Sequence, residues 1–324
     1  MRSATVVVPT TNGHLRLRAL MRTLAGQTVE HQVIAIDNGS SGAGLAGTAA
    51  EHPNADVIRL ERNAGFARAV NLGVARAEGE AVIMVNDDCT CDPAFVEKLV
   101  EALDPALGVV MSGGVLRDRA APQLIETAGM VLDSTLLVSD YLNGEPLSRL
   151  ERGVADPIGP CGAAAAFDRS AFLEVGGFDE RLFAYWEDVD LVLRLRRAGG
   201  RCSLAAGARG THEHSATLGP GSPRKNYLAG FGRAYVLRKW GVLRPRRLPG
   251  VIARELGVCL GQGLVDHNLA GVRGRVRGFL AARPTEEYPA GLLPAGASTG
   301  TWDALRRRAA RRTRIRRRPE ATAR

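Results

Sequence analysis

Ala81-Val82-Ile83-Met84-Val85-Asn86-Asp87-Asp88 carries five apolar residues into an asparagine and two carboxylates. A short apolar run that ends in turn formers reads as a buried strand, and this one delivers two acidic side chains to its carboxyl end. Carboxylates grouped there suit a hard divalent cation, Mg2+ or Mn2+, completed by phosphate oxygens and water in the manner used to handle nucleotides. The same triplet also reads as an Asx turn leading to a helix, because Asp92-Pro93 looks like a helix start. Two distant clusters favour the chemical reading: the acidic pair Glu187-Asp188 and the group His212-Glu213-His214.

Outward from this strand, short apolar runs at 5–8, 33–36 and 56–60 alternate with segments of helix length. Leu15, Leu17, Leu20, Met21 and Leu24 fit one helical stripe, Phe66, Val70 and Val74 a second, and Phe95, Leu99 and Leu103 a third. Strand, helix, strand at this spacing implies right-handed crossovers and a parallel sheet. Ligands of such sheets bind outside the carboxyl ends of the strands. That rule puts Pro9-Thr10-Thr11, Asp37-Asn38-Gly39-Ser40 and Asn86-Asp87-Asp88 on one rim. No G-x-G-x-x-G follows the first strand and no G-x-x-x-x-G-K-[ST] occurs, so neither a dinucleotide fold nor a P-loop is supported.

With 324 residues, 45% hydrophobic and 24% charged, the chain has the make-up of one large or two modest globular domains. No run approaches the ~18–20 apolar residues of a membrane span. Met1-Arg2-Ser3-Ala4-Thr5 leads directly into a strand, without a secretory apolar region, and the chain is expected in the cytoplasm. Five cysteines without a C-x-x-C pair fit reduced thiols better than disulfides or zinc. The net charge of +9 is concentrated at the C-terminal end: residues 303–324 hold ten Arg against Asp303 and Glu320, and residues 241–283 eight Arg against Glu255 and Asp266.

The ordered series Val7-Val8-Pro9, Ile36-Asp37-Asn38-Gly39-Ser40-Ser41, Asn63-Ala64-Gly65-Phe66-Ala67-Arg68-Ala69-Val70-Asn71-Leu72-Gly73 and Val85-Asn86-Asp87-Asp88 resembles the nucleotide-sugar half of family 2 glycosyltransferases. The resemblance continues through Gly176-Gly177-Phe178-Asp179-Glu180-Arg181-Leu182-Phe183 and Trp186-Glu187-Asp188-Val189-Asp190-Leu191, covers about residues 4–217, and is nearest to the rhamnosyltransferase-like branch. It implies an α/β chain of the GT-A nucleotide-diphospho-sugar transferase fold, with a mostly parallel central sheet flanked by helices and a basic helical C-terminal extension. The expected activity is metal-dependent, inverting transfer from a UDP- or dTDP-sugar, dTDP-rhamnose among them, to a hydroxyl of a lipid-linked or cell-surface glycan precursor.

Carried onto this sequence, the resemblance implies that Asp88 is the first metal ligand and that Asp87, where proline is frequent, faces the ribose or adds charge behind the ligand. Asp37 would accept the imide N–H of uracil or thymine, although Asp-Asn-Gly is also a plain turn former. Pro9, Thr10, Thr11, Asn63 and Gly65 would border the nucleotide, with Asn71 a structural hydrogen-bonding residue. Asp188 is the candidate base for the acceptor hydroxyl and Glu187 the reserve; carboxylates at a helix start also simply favour the helix dipole. A histidine commonly completes the metal site, and His212 is preferred over His214 because its spacing to Thr217 resembles the family pattern. Gly42 and Thr11 depart from that pattern, at positions where an Asp and an aromatic are frequent. The small apolar segment 160–167 suits a strand beneath the donor sugar, or core packing.

The organisation expected is a catalytic domain over 1–220, a helical extension over 221–283, a linker over 284–302 and a disordered Arg-rich tail over 303–324. The extension helices could lie on a bilayer or pack on the catalytic domain. The tail suits anionic lipid better than nucleic acid, since Trp302 is its one stacking platform, and it places the protein peripherally on the inner face of the cell membrane. A nucleotidyltransferase would need a basic triphosphate loop that residues 9–16 lack, and a non-catalytic polyanion binder would leave the acidic and histidine clusters without a purpose.

Overall fold

Four strands, β1 (Ala4–Thr10), β2 (Gln32–Asn38), β3 (Ala55–Leu60) and β4 (Ala81–Val85), lie parallel in the order β3-β2-β1-β4, with α1 (His14–Ala25) and α2 (Phe66–Arg76) in the crossovers. This is a computed structural model, and it describes residues 2–288 apart from 42–44, 46–51, 53–54, 134, 214–218, 220 and 246. Gly42, His214, Thr217, the linker beyond 288 and the Arg-rich tail therefore lie outside the described residues. The strands alternate faces with a period of two. Val6, Val8, Ile83 and Val85 pack under Leu17, Leu20, Met21 and Leu24 of α1, while Val7, Ile34, Ile36 and Met84 pack under Val70 and Val74 of α2. Thr10 pairs with Asp37 and Val7 with Met84, so the strands end together on the rim read from the sequence.

Past β4 follow β5 (Cys89–Cys91), α3 (Phe95–Glu101), β6 (Val109–Asp118), β7 (Ala121–Thr127), β8 (Met130–Leu132), β9 (Val138–Asp140), β10 (Ala164–Asp168), α4 (Arg169–Glu174), α5 (Glu187–Arg197) and β11 (Arg201–His212); β10, β6, β11, β5 and β7 extend the sheet, while β8 and β9 pair with each other in a separate two-stranded sheet. The triplet after β4 is a turn, closed by Cys89 N donating to Asn86 O at 3.1 Å, but it leads into β5 and not into a helix. Two pairings place the chemistry. β10 enters antiparallel beside β4, matching Ala164 with Val85, which sets Cys161-Gly162-Ala163 next to Asn86-Asp87-Asp88. β11 runs antiparallel to β5 and matches His212 with Cys89, with Glu213 N donating to Asp88 O at 3.0 Å. A histidine far along the chain is thereby held beside the acidic turn.

The C-terminal part is helical: α6 (Pro223–Lys239), α7 (Leu248–Asp266) and α8 (Ala270–Ala281). Of the two expectations for these helices, packing on the catalytic domain describes α6. Its Tyr235, Val236 and Leu237, with Trp240 just beyond, are buried in one core with Leu191, Val192 and Leu195 of α5. The core also holds a charged knot. Asp190 is fully buried and receives Lys239 Nζ at 2.8 Å, Arg194 Nε at 2.9 Å and Trp240 Nε1 at 3.0 Å. Removing one member of such a network leaves buried donors without an acceptor, at a cost of roughly 3–5 kcal/mol. Asp190→Ala is expected to lose that much in urea unfolding at equilibrium, whereas the exposed Glu180→Ala should change stability by no more than about 0.5 kcal/mol.

Helix α8 lies flat on α6 because glycines face both ways. A Cβ at Gly274 would fall 2.1 Å from Tyr227 O, and one at Gly230 2.2 Å from Gly271 O. The structure corrects one expectation here. Leu248–Asp266 forms a single 19-residue helix with a mean hydropathy of 1.2, long and apolar enough by length and composition to cross a membrane. Scattered glycines and the pair Arg254-Glu255 hide that character when the sequence is read for unbroken apolar runs.

Candidate active site

A cavity of about 600 Å³ opens at the carboxyl ends of β1, β2 and β4. Pro9, Thr10, Thr11 and Asn63 line it, as do Asp87, Asp88, Glu187, Asp188 and His212; Asp37 and Gly65 do not. The buried Asp37 uses Oδ1 to accept from Ser40 N at 2.9 Å, with Arg59 Nε 3.6 Å from Oδ2, which is the geometry of the turn former. The residue after it holds this wall together. Asn38 accepts from Ala64 N at 2.8 Å and donates to Gly65 O at 3.1 Å, and Thr11 Oγ1 donates to Asn38 O at 3.2 Å. Gly65, at φ 93°, sits where a Cβ would fall 2.6 Å from Phe183 O, so only glycine lets the 63–65 loop meet the segment before α5. Asn71 exchanges two hydrogen bonds with the Phe178 backbone, each 2.9 Å long, in the structural role expected of it.

The two carboxylates of the acidic turn are used differently. Asp87 Oδ2 accepts from Thr10 Oγ1, and Arg16 Nε lies 3.4 Å from Oδ1, so this side chain fastens the 10–16 turn to the end of β4. Burial raises its pKa, with Thr10 and Arg16 opposing that rise. Asp88 faces His212, with Oδ1 3.1 Å from Nε2, and that buried oxygen has no well-directed hydrogen-bond donor. The other imidazole nitrogen, Nδ1, lies 3.1 Å from Glu126 Oε1. Burial alone would lower the His212 pKa, but the two carboxylates outweigh it and push it up to about 10.

An under-used carboxylate oxygen beside an imidazole whose far nitrogen is oriented by a second carboxylate is a donor set that fits a divalent cation. Asp88 and His212 are the residues able to hold one, with the cation taking the place of the proton on His212 Nε2. The Cys89 thiol also lies close, but burial pushes its pKa well up, and a neutral thiol suits a hard cation poorly. Glu126 was not found from the sequence. It lies on β7 in a stretch where only the folded register connects it to a histidine 86 residues away.

Glu187 and Asp188 open α5 across the cavity, and the chain reaches them through strain. Tyr185 at φ 70° and Trp186 at φ 78° are consecutive non-glycine residues in the left-handed region, each costing about 1–3 kcal/mol. Contacts from three sides hold them. Phe66 N donates to Phe183 O at 2.6 Å, Lys225 Nζ stands 5.7 Å from the Tyr185 ring centre, and the Arg233 guanidinium 5.1 Å from that of Trp186. Burial drives the Glu187 pKa well above the carboxylate range, and the neighbouring Asp188 adds to it. Burial raises Asp188 as well, but backbone N–H groups of Val189, at 2.8 Å, and Gly162 counter the rise. Both carboxyls are thus raised, and the Val189 and Gly162 N–H groups favour the charged form of Asp188. Arg224 of α6 also reaches the cavity, its guanidinium 5.8 Å from the Phe183 ring centre, a contribution from the extension that the sequence did not reveal.

Comparison with known proteins agrees with this geometry. The family model for glycosyl transferase family 2 matches residues 5–173. A curated relative from Mycobacterium tuberculosis, N-acetylglucosaminyl-diphospho-decaprenol L-rhamnosyltransferase, is 32% identical over 212 residues, which is 58% of this chain and 68% of the relative. Among solved structures, GalNAc-T7 with UDP, GalNAc and Mn2+ superposes with a TM-score of 0.59 at 18% identity, over 74% of this chain and 48% of that one. A mannosyltransferase from Pyrobaculum calidifontis in complex with GDP-Man and Mn2+ gives 0.55 at 17% identity, over 97% of this chain and 84% of the other. These two likenesses establish the GT-A fold. The chain belongs to glycosyl transferase family 2, and it is a glycosyltransferase that draws its sugar from a nucleotide-sugar donor.

Proposed function

We propose that this glycosyltransferase is divalent-cation-dependent and inverting, that it uses a UDP- or dTDP-sugar, with dTDP-rhamnose the first candidate, and that it acts on a hydroxyl of a lipid-linked or cell-surface glycan precursor at the cytoplasmic face of the membrane. The observation that carries this reading is the cavity itself, which has Asp88 and His212 on one wall and the Glu187-Asp188 pair on another. The rhamnosyltransferase relative, whose name contains a diphospho-decaprenol, supports the choice of sugar and of a lipid-linked acceptor. Solved neighbours holding UDP or GDP-Man with Mn2+ support a nucleoside diphosphate and a cation.

In this reading Asp188 accepts the proton of the acceptor hydroxyl as its oxygen attacks the anomeric carbon opposite the diphosphate. Burial raises the Glu187 pKa, which limits the negative charge beside the base, and the Val189 and Gly162 N–H groups hold the Asp188 carboxylate in place. Thr10 and Arg16 keep Asp87 drawn back, so that Asp88 presents the open oxygen of the turn. A cation held by Asp88 and His212 would supply Lewis-acid neutralisation of the departing nucleoside diphosphate. Glu126 orients His212 from behind, and outer partners of this kind typically change metal affinity by about 10–100-fold. Glu126→Gln is expected to weaken Mn2+ binding by that factor in calorimetric titration with the nucleotide present, without a change in the unfolding midpoint larger than a few degrees.

The direct test of the reaction is NMR of the product formed from a panel of UDP-, dTDP- and GDP-sugars with a soluble acceptor analogue. Transfer from a uridine or thymidine donor with the anomeric configuration inverted is expected. Retention of configuration, or transfer from GDP-sugars alone, would overturn the proposal.

A further inference from the structure

Helix α7 wears its polarity reversed. Its charged residues point into the protein: Arg254 meets Asp133 at 2.8 Å, Glu255 meets Arg233 at 2.7 Å and Arg275 at 2.6 Å, and Asp266 accepts from Asn226 at 3.0 Å. Its outward side is apolar. Leu248, Ile252, Leu256, Leu260 and Leu264 recur every fourth residue, the last three 59%, 64% and 75% exposed, with no charged residue among them. Helix α8 continues this face. At about 100° per residue, the order around it from Arg275, which touches α7, is Phe279, Val272, Val276 and Leu280, all exposed, and then Arg273 and Arg277. No acidic residue occurs in α8, and Arg283 lies exposed just beyond it.

We infer that the outward face of α7 and α8 is a docking surface for an anionic lipid bilayer, with the two helices lying in the interface plane; this rests on the membrane-face reading above and names the surface responsible. Two observations select lipid as the occupant. An apolar band bordered by arginines on one side matches acyl chains beneath anionic headgroups. The end of α7 also adjoins the cavity mouth: Asp266 and Asn268 hydrogen-bond to Asn226 and Gly221 at the start of α6, whose Arg224 and Leu228 line the cavity. A lipid-anchored acceptor could then offer its headgroup to Asp188 while its tail stays in the membrane. The ion pairs of Arg254 and Glu255 in mid-helix hold α7 on the fold, which favours lying on the membrane over crossing it.

The test is flotation of the full chain with phosphatidylglycerol vesicles and with phosphatidylcholine vesicles, at low and high salt. The variants are Leu256→Glu/Leu260→Glu, the milder Leu256→Gln/Leu260→Gln, and deletion of 303–324. The wild type should bind phosphatidylglycerol and retain part of that binding at high salt. Both double variants should weaken it at least about tenfold, keep the wild-type circular dichroism and turn over a soluble acceptor normally, whereas the tail deletion should remove only the salt-sensitive part. Unchanged vesicle binding of correctly folded double variants would overturn the inference, as would a wild-type dimer that the same substitutions dissociate, which would assign the face to a second copy. Failure of the wild type to transfer sugar to any acceptor would count against the proposed reaction and leave the vesicle result standing.

Discussion

Asp188→Asn is expected to lower turnover by at least about 100-fold while leaving nucleotide affinity within about twofold of wild type, since a positioned general base contributes roughly 10²–10⁴. The amide keeps the hydrogen-bonding position next to Val189 N but cannot take a proton. Glu187→Gln should cost less, because burial favours the neutral acid of Glu187, which an amide resembles. The pH profile supplies a second check. Both carboxyls have raised pKa values, so the working state, with Asp188 ionised, is lost as pH falls, and the acid limb of kcat lies above the ordinary carboxylate range. Near-normal turnover of Asp188→Asn, or an acid limb at the pKa of a free carboxylate, would move the base elsewhere.

Asp88→Ala should be at least as damaging, by on the order of 1,000-fold in kcat/KM, since the several kcal/mol that a Lewis acid supplies to a leaving group convert at about 1.4 kcal/mol per tenfold. Unlike Asp188→Asn, it should also abolish Mn2+-linked nucleotide binding in calorimetry. The fold should survive, because Asp88 ends no helix and, among the described residues, its carboxylate pairs only with His212. Asp87→Ala makes a contrast: it frees the 10–16 turn by removing the acceptor of Thr10 and Arg16, and should reduce thermal stability. If Asp88→Ala retained metal-linked binding, the ligand assignment would fail while the base assignment stood.

The parallel half of the sheet was legible because its strands are continuous apolar runs and its helices carry one stripe each, signals that need no tertiary information. The same holds for the rim, since Asp88, Glu187, Asp188 and His212 are chemistry-bearing residues at element ends. What stayed hidden depends on register or on compensation at a distance. β6 to β9 run through Gly113-Gly114 and past Gly129 with no clean alternation to announce them, and Glu126 on β7 is hidden with them. Asp37 offered two roles, and the hydrogen bond that its Oδ1 accepts from Ser40 N, the turn contact, is visible only in the folded chain. The length of α7 was concealed by Gly250, Gly257, Gly261 and Gly263 and by Arg254-Glu255, whose charges are compensated by partners as distant in sequence as Asp133.

The central claim is that nucleotide and cation share one site, and the most direct measurement is thermal unfolding of the wild type with UDP or dTDP at saturating concentration, in Mn2+ and again in EDTA. A ligand at about 100 times its Kd stabilises the native state by about 2.7 kcal/mol, enough to shift the midpoint by several degrees. The account predicts that shift in Mn2+ and little or none in EDTA; equal stabilisation in both would contradict it.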